Sequence, residues 1–193
     1  MRLPVVATSA LACLLVTACS GARAAAPPPA PPTAVQSAVS AEPGSYNATD
    51  VAWLQLVIPM TEQALDLMDT TATKTSNPRV VQLAADIAAD HRTQLTQLRD
   101  LLRRSGNGET DIHDGHDLPG IVTPDDLLLV TKTRGPAFDR LFAQHIGDYL
   151  RQSVLVAKGE QDSGADPATK SFAASLSAAR KAQLARLTGN GPA

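Results

Sequence analysis

The sequence predicts an all-α domain, a four-helix bundle built from two tandem helical hairpins with a short extra helix in the connection. Three observations lead there. Apolar residues recur at helical spacing through most of residues 47–188, and alternating strand patterns are absent. Asn-Pro, Thr-Pro and Asp-Pro pairs punctuate the chain where helices should begin. The chain also matches itself: slid by 89 residues, 50–98 falls on 139–187 without a gap, and 10 of the 49 positions are identical. Asp50/Asp139, Gln63/Gln152, Pro78/Pro167, Ala84/Ala173, Gln94/Gln183 and Leu98/Leu187 are among them. Cap, proline and apolar stripe coincide, which marks a duplicated unit. Two such hairpins bury their apolar faces by packing on each other.

The segment before the bundle reads "MRLPVVATSALACLLVTACSG". Arg2 precedes an apolar run of about twelve residues, short of the ~20 that span a bilayer, so residues 1–18 are expected to be an export signal. The run ends in Val16-Thr17-Ala18-Cys19, which resembles a bacterial lipobox and makes Cys19 the expected lipidation site. An ordinary secretory signal that holds a cysteine is the alternative. With Cys13 removed and Cys19 acylated, the mature chain has neither disulfide nor free thiol and must stand on its core alone. Losing Arg2 takes the formal charge from −2 to −3, which argues against nucleic-acid binding. Residues 19–46 are dominated by alanine and proline, which suit an extended tether rather than a helix.

The helices follow in order. Asp50 is expected to cap the first, to about residue 72, with Trp53, Val57, Met60, Ala64 and Leu67 on one stripe. Asn77-Pro78 opens the second, to about 104, with Val80, Ala84, Ile87, His91, Leu95, Leu98 and Leu102 facing inward. Thr123-Pro124-Asp125-Asp126 starts a short helix with acids in its first turn, where the macrodipole favours them. Gly135-Pro136 separates it from a long helix at about 137–160. Asp166-Pro167 begins the last, to about 187, leaving 189–193 as a disordered tail. Ala84, Ala85, Ala88 and Ala89 offer a small-residue face for dimerisation.

The strings "VIPMTEQALDLM", "NPRVVQLAADIAADHRTQLTQL", "HDLPGIVTPDDL" and "FDRLFAQHIGDYLRQSVLVA", in this order and spacing, resemble the domain of unknown function 305 family over about residues 47–188. The resemblance implies a ferritin-like bundle on an exported or lipid-anchored bacterial protein, with His-His pairs and methionines that serve copper or other metals. This chain departs from that pattern. The paired positions hold Met60-Thr61 and Tyr149-Leu150, and the expected Met-rich connector reads Leu118-Pro119-Gly120-Ile121-Val122.

Two sets of residues remain as candidate sites. His113, His116 and Asp117 stand together in the connector, and imidazole with carboxylate suits copper or zinc. Met60, His91, Tyr149 and Arg180 lie on inward stripes, paired by the 89-residue offset, and should share one level of the bundle. Arg180 cannot ligate a cation and repels one. If buried it needs partners, for which Tyr149, Gln94, Gln183, Asp90 and Glu62 are candidates; the alternative is that it snorkels to solvent. No phosphate loop, thiol nucleophile or di-iron Glu-x-x-His repeat is present, so no catalytic residue is assigned. The expectation is a lipid-anchored, extracytoplasmic, non-enzymatic binding or interaction module without a cofactor. It reaches the membrane through Cys19 and binds a protein or small ligand whose identity is unknown. A copper- or zinc-binding lipoprotein is the alternative.

Overall fold

A computed structural model of the chain describes residues 45–110 and 118–189. Its helices are α1 (Ala48–Lys74), α2 (Pro78–Arg104), α3 (Pro124–Thr131), α4 (Gly135–Ser163) and α5 (Pro167–Gly189), and no strand occurs among the described residues. The signal segment, Cys19, the tether to residue 44, the His113, His116 and Asp117 set and residues 190–193 lie outside the described residues. Gly189, expected in the tail, closes α5 instead. No described helix is long and apolar enough to cross a membrane.

α1 and α2 form one hairpin and α4 and α5 the other; α1 packs on α4 and α2 on α5. The loops fix the directions. The start of α1 meets the α4–α5 turn, where Asn47 Nδ2 donates to the Ser163 carbonyl at 2.9 Å. The end of α1 meets the start of α4, where Asn77 Nδ2 donates to Asp139 Oδ2 at 3.0 Å. α2 runs against α5, with Arg186 bonded to Asp86 and Gln183 to Asp90. Each helix is therefore antiparallel to both neighbours, and α4 runs in the same direction as α2. The connection between the hairpins must travel the length of a 27-residue helix, about 40 Å at 1.5 Å per residue.

That connection is held along its described parts. Gln55 Nε2 donates to the Gly108 carbonyl at 3.0 Å, and Arg99 ties Glu109 to Glu62. At "LPGI" the chain turns tightly, with Ile121 N–H bonded to the Leu118 carbonyl at 3.0 Å. Pro119 and Gly120, the latter at φ +80°, occupy the two corners, the residues a type II turn demands. A methyl group at Gly120 would overlap Gln152 Cβ and come within 3.0 Å of the Asp148 carbonyl. The turn thereby seats Ile121 and Val122 in the core. α3 begins with a capping box between Thr123 and Asp126, buries Val130, and ends where Lys74 reaches the Thr131 carbonyl.

The cap of α1 is Asn47 rather than Asp50. Asn47 accepts from the N–H groups of Thr49 and Asp50, and Asp50 returns a bond to the Asn47 N–H, completing a capping box. Asp50 is freed for a second task. Its carboxylate takes N–H from Ala165 at 3.1 Å and from Asp166 at 3.0 Å, in the turn of the other hairpin. The stripes expected on α1 and α2 are buried along their whole length. Ala84 and Ala88 are buried with them, so only Ala85 and Ala89 of the proposed alanine face reach solvent.

Gly120→Ala must be accommodated at a positive φ and against α4, and is expected to lower stability by about 1–3 kcal/mol. Denaturant unfolding checks this, and an unchanged midpoint would mean that the turn is not seated on α4.

Candidate functional site

Each helix of the bundle contributes one residue to a level near the middle. Met60 and Tyr149 come from α1 and α4, His91 and Arg180 from α2 and α5, and all four are at most 1% exposed. Helical spacing alone puts them on inward stripes, and the antiparallel packing brings the stripes to one depth. Pro59 precedes Met60 inside α1. It has no N–H for the Gln55 carbonyl, so α1 is locally loosened beside this layer. Thr61 bonds the Val57 carbonyl at 2.7 Å there and accepts from the Tyr149 phenol at 3.3 Å.

Arg180 does not snorkel: it is 0% exposed. One terminal nitrogen lies 3.3 Å from His91 Nδ1 and 3.3 Å from Gln183 Oε1. Gln183 passes the contact on to Asp90 at 3.2 Å. The guanidinium carbon stands 5.5 Å from the centre of the Tyr149 ring, within cation–π range. The rings of His91 and Tyr149 meet at 5.4 Å. Of the expected partners, Gln183, Asp90 and Tyr149 are engaged. Glu62 pairs with Arg99 at the surface, and Gln94 Oε1 is without a partner among the described atoms.

A guanidinium only donates, so a hydrogen bond from it to Nδ1 requires the neutral imidazole tautomer that carries its proton on Nε2. Burial, and then the charge of Arg180, hold His91 well below the ordinary histidine range. Burial likewise pulls Arg180 down, with Tyr149 and Asp90 opposing. His91 is therefore neutral, but its metal-binding electron pair faces a fixed positive charge. A metal does not fit this arrangement. Among the described residues no group of three or more His, Cys, Asp or Glu side chains is placed to hold one.

The layer is incompletely satisfied. Arg180 Nε and Nη2, His91 Nε2 and Ser153 Oγ are buried without a partner among the described atoms. The two bonds that Arg180 makes among the described residues are long, and none of them is to a carboxylate.

Further out, a groove of about 820 Å³ runs between α4, α5 and the Pro119-Gly120 turn. Its rim carries Leu155, 62% exposed, between Arg151, Lys158 and Lys181. Arg151 and Lys158 are paired with Asp148 and Asp162 on the same helix. His145, one turn before Tyr149, is half-buried and outside the central layer's bonds.

Sequence reasoning missed one buried cluster. Glu160 is 1% exposed and lies beside Asp50, itself 0% exposed. The signal was legible: Glu160 continues the inward stripe of Tyr149, Ser153 and Ala157.

The family model described as "Domain of unknown function (DUF305)" matches residues 47–189. A DUF305 protein of Streptomyces coelicolor assigned as secreted superposes with a TM-score of 0.66 at 17% identity, over 73% of this chain and 90% of that one. A DUF305 fragment from Deinococcus radiodurans gives 0.66 at 18%, over 75% and 96%. CopM in its Cu(II)-bound form gives 0.63 at 15%, over 72% and 93%. These identities speak for the fold alone. None of the curated proteins compared matches the chain.

A half-satisfied polar network is worse than an apolar core. Arg180→Met, which keeps the bulk and removes the charge, is expected to leave stability unchanged or raise it by up to about 2 kcal/mol. A loss greater than that in thermal or urea unfolding would show a complete network. In ¹⁵N spectra His91 should stay neutral, protonated at Nε2, well below the ordinary histidine range; a ring that titrates within that range would refute the arrangement.

Proposed function

Because the chain belongs to the DUF305 family, we propose that it is an exported, lipid-anchored helical-bundle protein of the cell envelope, acting as a non-enzymatic binding or interaction module with a degenerate metal site. One observation carries the reading: a terminal nitrogen of the buried Arg180 lies 3.3 Å from Nδ1 of His91. A permanent charge there repels a cation and occupies the ligand it would need. CopM, similar in fold, is described with Cu(II) bound; at the centre of this bundle the positive charge is a guanidinium.

Export draws support from the "VTAC" string at residues 16–19 and from the secreted assignment of the Streptomyces coelicolor relative. Membrane attachment falls to lipid on Cys19. The partner is a protein or small ligand rather than nucleic acid, and the groove beside Leu155 offers it a mixed apolar and basic rim.

CopM favours a second reading, a copper- or zinc-binding lipoprotein that uses His113, His116 and Asp117. Metal titration separates the two. The purified protein is expected to take up no stoichiometric copper or zinc at micromolar or tighter affinity. Such binding, abolished by His113→Ala with His116→Ala, would transfer the conclusion to the second reading.

Lipidation has its own check. Cys19→Ala should release the protein from membranes, and continued retention argues against the anchor.

A further inference from the structure

Three carboxyls meet where α1 begins, α4 ends and α5 begins. Asp50, Glu160 and Asp166 are 0, 1 and 5% exposed. Two of them accept hydrogen bonds. Asp50 accepts from the N–H of Asn47 at 2.6 Å as well as from Ala165 and Asp166. Asp166 caps α5, accepting from the N–H of Thr169 at 2.8 Å and its hydroxyl at 2.7 Å. Glu160 differs: neither carboxyl oxygen receives a donor among the described atoms. The side chain is also pinned in place. A methyl group on Gly164 would overlap its Oε1 and crowd the Glu160 carbonyl, so glycine at 164 lets the turn close tightly over Glu160.

A buried carboxylate without donors, next to an ionised one, is strongly disfavoured, and the pair relieves this by keeping one proton between them. The charges around it are accounted for element by element. Asp50 faces Glu160 from α1, and Asp166 and Lys170 face it from the start of α5. Tyr46, before α1, lies next to Asp50 and Asp166 and feels Arg104 at the end of α2. Among the described residues the positive charge of Lys170 acts on Glu160 and is opposed by two carboxylates.

We propose that the proton between Glu160 and Asp50 is a pH-sensitive latch: while it is present the α4–α5 turn is held on the start of α1, and its loss in mildly alkaline surroundings frees the turn and the first residues of α5.

The direction of the effect follows from the two shifts. Burial, then the hydrogen bond to Asp50, raise Glu160 to about 8. Burial pushes Asp50 up too, but the N–H groups of Asn47, Ala165 and Asp166 and the Glu160 proton together hold it below the usual carboxylate range. A raised carboxyl contributes stability that is full below its unfolded value and is lost as pH climbs through the folded value. The latch therefore weakens from the ordinary glutamate range up to about pH 8. Asp50, being depressed, stays ionised throughout this window, so the second negative charge appears on Glu160 and repels it.

Amide hydrogen exchange on the full chain, expressed as protection factors, reads the latch directly. Protection of the Ala165 and Asp166 N–H groups should fall by up to about tenfold per pH unit and level off near pH 8, with Ile87 and Leu98 in α2 unaffected. Glu160→Gln keeps a donor for Asp50 and cannot ionise, so its profile should be flat. Protection that is flat in the wild type, or that falls equally in the variant, overturns the proposal. Should the variant fail to fold, ¹³C titration of the wild-type Glu160 carboxyl decides. A midpoint near 8 upholds the latch, and one in the ordinary glutamate range refutes it.

Discussion

Two aspartates, each near the start of its hairpin's leading helix, reach across to the turn of the other hairpin, and the bundle depends on that exchange. Asp50 takes backbone N–H groups from the α4–α5 turn, and Asp139 takes the Asn77 amide in the α1–α2 turn. The apolar stripes alone would allow the hairpins to slide along each other, because burial is non-directional. Directed bonds at both ends remove that freedom and set the depth at which Met60, His91, Tyr149 and Arg180 meet. The duplication is visible even in its imperfections. Asp50 is met by Glu160, whereas the residue opposite Asp139 by the same offset is the buried Thr71. One end thus holds a proton between two acids, and the other an uncharged hydroxyl.

The centre shows a different use of charge. In a bundle with ligating side chains on facing helices, a metal ion would balance polar groups that are costly to bury. Here a guanidinium attached to the chain stands among a histidine, a phenol and a glutamine. It needs no uptake and cannot be lost, but its planar fork is only partly matched, leaving buried donors unmet. The layer therefore gives the core a fixed electrostatic character rather than an exchangeable one, which is why the functional reading moves outward to the surface and the connector.

Much of this was legible beforehand, for identifiable reasons. Asn77-Pro78, Thr123-Pro124 and Asp166-Pro167 mark three helix starts because proline fits the first turn and the residue before it caps. The inward stripes were readable from period alone. Asp50 was misread as a cap because Asn47, three residues earlier, is an equally good one, and only the partner turn distinguishes the two roles. The alanine face of α2 was misjudged for a related reason. Small side chains carry little amphipathic signal, and Ala84 and Ala88 turn inward with Ile87.

By itself the sequence determined what depends on neighbours along the chain: five helices, three of their caps, the duplicated unit, and one polar side chain from each of two facing stripes at matching positions. Tertiary structure decided what depends on the approach of distant segments. It set the parallel course of α2 and α4, the seating of Gly120 on α4, the complete burial of Arg180 against His91, and the meeting of Asp50 with Glu160. A repeat offset can pair residues in register, but whether a charge ends beside solvent, a lone pair or another acid is settled only when the second hairpin closes over the first.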